Sequence, residues 1–149
     1  MKRAAWTWLD WTTYLFCLSH IPATLFVDLT PIYPDIALLR PLQWLRSWYL
    51  STFADPLMGG QSYPGAWFKC FLWIEGIFQL PVCILLVWAY HREQQDATWA
   101  RLLVGLYSIQ VATSTIASLA EIFAFDTITL RQKLALCSMF WPYVAVPVV

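Results

Sequence analysis

Two carboxylates stand in this sequence where a lipid-facing helix tolerates none. Asp28 closes an apolar run, and Glu75 is flanked by Phe71, Leu72, Trp73, Ile74, Ile77 and Phe78. A charged side chain at the centre of a spanning helix costs roughly 2.5–3.5 kcal/mol on insertion scales, so such a group must face a protein interior or a cavity. Gln79 follows Glu75 by four residues and shares its helical face. His20, Thr24 and Asp28 step along at the same interval and form one polar stripe. Two such stripes on consecutive antiparallel helices are most economically explained by facing each other across a cavity. Carboxylates brought together there repel, and the pair then holds one proton between them. That arrangement is a counter-ion for a cationic amine, with nearby aromatic rings adding cation–π attraction. His20, Asp28 and Glu75 could equally supply the acid and base that shift a double bond.

Each residue also has a plainer reading. Asp28 can end a helix at the membrane interface, Glu75 can be an interhelical hydrogen bond, and His20 can be a satisfied interior histidine. The combination outweighs its members.

The elements that hold these residues follow from composition. Of 149 residues, 60% are hydrophobic and 12% charged, with a mean hydropathy of +0.57. Soluble domains carry roughly twice that share of charge, so the class is membrane. Net charge is zero and no basic run occurs, which argues against a nucleic-acid partner. Cys17, Cys70, Cys83 and Cys137 sit in apolar segments without metal-ligand spacing, so they read as small fillers. No cofactor and no metal site is expected.

Four apolar segments approach the roughly 20 residues a bilayer requires: residues 6 or 11 to 27, 66–90, 99–120, and 130 or 134 to 149. Met1, Lys2 and Arg3 precede the first, but the run passes signal-peptide length, contains Asp10 and shows no small-residue cleavage site, so it is expected to remain as a helix. Tryptophans concentrate near segment ends, as in an interfacial belt. Between the first two segments, Leu38, Leu42, Leu45, Tyr49 and Phe53 recur at helical spacing beside Arg40 and Arg46. This predicts an amphipathic helix at the membrane surface. The expected fold is thus an all-α membrane protein, a four-transmembrane-helix bundle with an amphipathic segment in the first loop, forming a single domain over 1–149. Pro22, Pro81, Pro142 and Pro147 are expected inside helices, bending them near the polar residues. On the third segment, Ser108, Ser114, Thr115 and Ser118 read as packing residues, with Gln110 and Thr113 as ligand contacts. Glu121 and Asp126 are assigned to a loop. Tyr143 needs a hydroxyl partner if buried.

Several blocks resemble the EXPERA-domain family. They are Leu18-Ser19-His20-Ile21-Pro22-x-Thr24-Leu25-Phe26-x-Asp28-Leu29, then Trp48-Tyr49 with Phe53-x-Asp55-Pro56-Leu57. Further matches are Ala66-Trp67-Phe68-Lys69-x-Phe71-Leu72, Glu75, Phe78-Gln79-Leu80-Pro81, Tyr107-Ser108 and Pro142-Tyr143. The resemblance implies a four-helix fold whose cavity binds sterols and lipophilic cationic amines. It implies that Asp28 pairs with the ligand's ammonium, that Glu75 hydrogen-bonds Asp28, and that Asp55 holds the loop. Trp48, Tyr49, Leu57, Phe71, Tyr107 and Tyr143 join the candidate ligand-binding set with His20, Thr24, Gln79, Gln110 and Thr113. The resemblance further implies an endoplasmic-reticulum or endolysosomal membrane, a homodimer, and partners among cholesterol-trafficking membrane proteins. Its receptor branch is a closer match than its sterol Δ8–Δ7 isomerase branch, so no catalytic residue is assigned.

Overall fold

In the computed structural model, residues 6–34, 36, 39–59 and 66–148 are described. Leu38 and the basic residues at positions 2 and 3 lie outside them. The described residues are helical, with no strand.

The first span opens on a capping box. Thr7 Oγ1 accepts from the Asp10 amide at 3.2 Å, and Asp10 Oδ2 accepts from the Thr7 amide at 2.7 Å, which satisfies two orphan donors. Asp10, unexpected in an apolar run, is therefore a helix start. Helix α1 (Trp8–Ala23) continues through a π-helical turn, Thr24–Asp28, into a short 3₁₀ turn, Thr30–Ile32. The second span repeats the device: α3 (Ala66–Ile74), a π-helical turn at Glu75–Gln79, then α4 (Leu80–His91). In both turns a bond reaches five residues back, from the Leu29 amide to the Thr24 carbonyl and from the Leu80 amide to that of Glu75. Pro22 stands two residues before the first turn and Pro81 two after the second, where each withholds an amide from the α-helical ladder. Helix α5 (Thr98–Ala124) is the third span.

These three helices, Trp8–Ile32, Ala66–His91 and Thr98–Ala124, are long and apolar enough to cross a membrane. The expected fourth segment is divided into α6 (Leu130–Phe140) and α7 (Pro142–Val148). A capping box between Thr129 and Gln132 fixes its start at Leu130. Pro142 begins α7 and so occupies a first turn, contrary to the expectation of an interior position. Its missing amide ends α6 at Phe140. Glu121 lies in the last turn of α5 rather than in a loop, because α5 continues four residues past the expected end at 120.

Helix α2 (Arg40–Phe53) is the amphipathic element. Tyr49 is buried, whereas Trp44 and Trp48 face outward. Arg46 turns toward the loop that follows α2, and its Nη2 donates to the Met58 carbonyl at 2.7 Å. Helix α1 packs on α4, and α5 on both α4 and α7. Cys17, Cys83, Ala89 and Ala100 are at most 1% exposed where these helices cross, since small side chains let backbones approach closely. Large apolar side chains such as Ile77 and Ile109 are 70% exposed, a surface suited to lipid rather than water.

Candidate functional site

The two π-helical turns sit opposite each other and carry four of the polar residues picked out by spacing. Thr24 and Asp28 lie on one; Glu75 and Gln79 lie on the other. An added residue in a helical turn rotates the side chains beyond it, and such turns are frequent at functional sites. Here they bring the acids together. One ligating atom from each of His20, Asp28 and Glu75 lies within 4.8 Å of the others. His20 Nε2 is 3.6 Å from Glu75 Oε1. Thr24 Oγ1 donates to Glu75 Oε1 at 2.9 Å, and His20 Nδ1 is hydrogen-bonded to the Tyr107 hydroxyl on α5.

This cluster lines a cavity of about 210 Å³. Phe68, Phe71, Leu72, Val111, Met139 and Phe140 give it apolar walls, and Tyr143 lines it from α7. Rings beside an acidic pole suit a lipophilic cation. Tyr143 meets His20 edge-on, with ring centroids 5.0 Å apart.

Helix α2 and the loop after it also line the cavity, through Tyr49, Asp55, Leu57 and Met58. Ala54 ends α2 in the left-handed region at φ 51°, turning the chain inward. Asp55, 2% exposed, then organises the loop. Its Oδ1 accepts from the Leu57 and Met58 amides at 2.9 and 3.3 Å, and its Oδ2 accepts from Tyr49 at 2.8 Å. Burial pushes the Asp55 carboxyl above the ordinary carboxylate range, and those three hydrogen bonds offset only part of the rise. Leu57 and Met58 are held facing the cavity.

The candidate residues divide into three sets. His20, Asp28, Glu75, Gln79, Tyr49, Asp55, Leu57, Phe71 and Tyr143 line the cavity. Thr24 and Tyr107 are buried behind it and hold Glu75 and His20 in place. Trp48, Gln110 and Thr113 lie outside it. Trp48 is 51% exposed, on the face of α2 away from Tyr49. Thr113 is exposed and its hydroxyl returns to the Ile109 carbonyl. The Gln110 carboxamide oxygen is buried without a partner among the described residues.

Third-helix contacts come instead from Ser114, Thr115 and Ser118, which composition alone assigns to packing. The signal is present in the sequence. The interior face of α5 is Tyr107, Val111, Thr115, Ser118 and Ile122, spaced at 3.6 residues from Tyr107, and it passes over 110 and 113. Sequence reading also misses Met58, Phe68, Met139 and Phe140, apolar residues with no local mark. It expects no metal site, yet the fold converges one imidazole and two carboxylates.

The family model described as EXPERA (EXPanded EBP superfamily) matches residues 41–149. "Sigma intracellular receptor 2" of Xenopus tropicalis is 34% identical over 148 residues, covering 94% of this chain and 84% of the relative. The human protein of that name is 34% identical over 153 residues, covering 93% and 82%. "Efficient mitochondria targeting-associated protein 19" of Schizosaccharomyces pombe is 31% identical over 141 residues, covering 93% and 70%.

Proposed function

Since this chain belongs to the EXPERA family, we propose that it is an intracellular membrane receptor for sterols and lipophilic amines, akin to Sigma intracellular receptor 2. The observation that carries the reading is the polarity of the cavity: apolar and aromatic walls, with Asp28, Glu75 and His20 gathered together among them. Asp28 pairs with the ligand's ammonium. Glu75, held by Thr24 and facing His20, lies beside Asp28 and accepts part of the incoming charge. The volume of about 210 Å³ exceeds the roughly 150 Å³ that admits benzene but falls below the 300–1,000 Å³ usual for drug-sized ligands. An amine head and one ring fit as the side chains stand. A sterol requires Met58, Phe71 and Met139 to move.

In the membrane, α6 and α7 together complete a fourth spanning segment, with α2 lying at the surface. The chain resides in the endoplasmic reticulum or endolysosomal membrane, assembles as a homodimer, and serves cholesterol homeostasis with cholesterol-trafficking membrane proteins as partners.

Saturation binding of a radiolabelled lipophilic tertiary amine to the purified chain tests the reading. Asp28→Asn is expected to weaken binding by at least about 30-fold, since losing one partner of a buried charge pair costs roughly 2 kcal/mol or more. Glu75→Gln is expected to weaken it less. Unchanged affinity in Asp28→Asn removes the ion pair. Conversion of a Δ8-sterol by the wild-type chain would replace the receptor reading with an isomerase.

A further inference from the structure

The polar end of the cavity has a second chemistry that does not depend on the amine reading. We propose that His20, Asp28 and Glu75 form a binding site for a divalent transition metal ion, with zinc the metal their donor set fits best. One imidazole nitrogen and two carboxylates make a mixed nitrogen–oxygen set of the kind zinc takes. Zinc bonds of roughly 2.0–2.2 Å put adjacent tetrahedral ligands roughly 3.3–3.6 Å apart. His20 Nε2 and Glu75 Oε1 already stand at 3.6 Å. An Asp28 carboxylate oxygen, within 4.8 Å of a ligating atom of each of the other two, closes on the same point by a side-chain adjustment.

The surroundings match what ligating groups require. Metal-bound histidines donate their other ring proton to an outer partner, which fixes tautomer and ring plane. With Nε2 as ligand, the His20 Nδ1 proton goes to Tyr107, its partner here. Thr24 orients Glu75 in the same manner.

Gln79 stands beside these three. It is 3% exposed and lines the same cavity, on the π-helical turn that carries Glu75. Its oxygen supplies a neutral fourth donor, or accepts from a metal-bound water. Metal and ammonium then compete for one pole.

The test uses the full chain, purified in detergent and treated with chelator, with cobalt(II) as the probe and zinc(II) as the competitor. Expected are one cobalt per chain, ligand-field bands of a low-coordinate nitrogen–oxygen site, and loss of those bands on adding zinc. His20→Ala and Glu75→Gln should each lose more affinity than the roughly 10–100-fold typical of an outer partner, and Thr24→Val should fall within that range. His91, the other histidine, serves as control: His91→Ala should bind cobalt as wild type does. Helix content and thermal midpoint confirm that each variant is folded. Thr24→Val leaves all three ligands in place if His20→Ala fails to fold. Cobalt no tighter than to protein-free micelles overturns the site, as does binding that survives His20→Ala or follows His91. Amine binding is measured separately in chelator, so the two readings can fail independently.

Discussion

The two ends of this bundle are built on opposite rules. Toward the Thr98 end of α5, α1, α4 and α5 close on Cys17, Cys83, Leu86, Ala89 and Ala100, all at most 1% exposed. Helices α1 and α4 of the first two spans are regular there, and side-chain pairs such as Tyr14 with His91 and Arg101 with Asp96 lie at that edge. Toward the other end lie both π-helical turns, a left-handed alanine, a buried aspartate and a cavity. A second apolar cluster of Tyr49, Leu57, Met58, Phe68, Leu72, Ile122 and Leu136 surrounds that cavity. Without a hydrophobic drive between helices in lipid, stability comes from contact between close-packed surfaces. One end supplies it, and this leaves the other free to keep a cavity of about 210 Å³ lined by acids.

The division can be broken or sharpened by substitution. The largest expected effect on stability is at the packed end. Leu86→Ala, which opens a hole where none exists, should lower unfolding free energy by about 2 kcal/mol or more and leave amine affinity per folded molecule within about twofold. Leu72→Ala only enlarges a cavity already present. It is expected to cost less in the same detergent melt while changing ligand affinity. A larger melting loss for Leu72→Ala than for Leu86→Ala would erase the distinction.

Asp55 comes next. Asp55→Ala removes the acceptor of three hydrogen bonds, so unpaired Leu57 and Met58 amides should cost about 1–3 kcal/mol and weaken amine binding through the loop. The aspartate also gives stability a pH slope. Its folded carboxyl binds a proton more tightly than in the unfolded chain. The stabilising term is therefore complete below about pH 4 and is lost as pH rises through the raised folded value. Asp55→Asn should flatten that slope in melts taken across the acid range, and an unaltered slope would assign it elsewhere. The smallest effect is at Ala54. Glycine tolerates φ 51° without the Cβ clash, so Ala54→Gly should raise stability by up to about 1 kcal/mol, with ligand affinity preserved.

The three longest helices are legible because their apolar runs match bilayer thickness, and α2 because its apolar positions recur at 3.6 residues. Asp28, Glu75, His20 and Gln79 are legible because a polar side chain in an apolar run has few interpretations. Gln110 and Thr113 are misplaced when polarity is used without phase: a hydroxyl on the lipid face can bond its own helix, as Thr113 does with Ile109. The division of the fourth segment at Trp141 is not anticipated by hydropathy either, although Pro142 marks it.

The sequence by itself determined the membrane class, the family, and which few residues are too polar to face lipid. These rest on composition and on identities that do not depend on what lies across the bundle. Tertiary structure alone decided the opposing π-helical turns, the 3.6 Å approach of His20 to Glu75, and which amides and hydroxyl the Asp55 carboxylate accepts from. It also decided that Ser114, Thr115 and Ser118 line the cavity instead of gluing helices. Each depends on the rotation and depth at which separate helices pack, which side-chain contact sets and no single segment encodes.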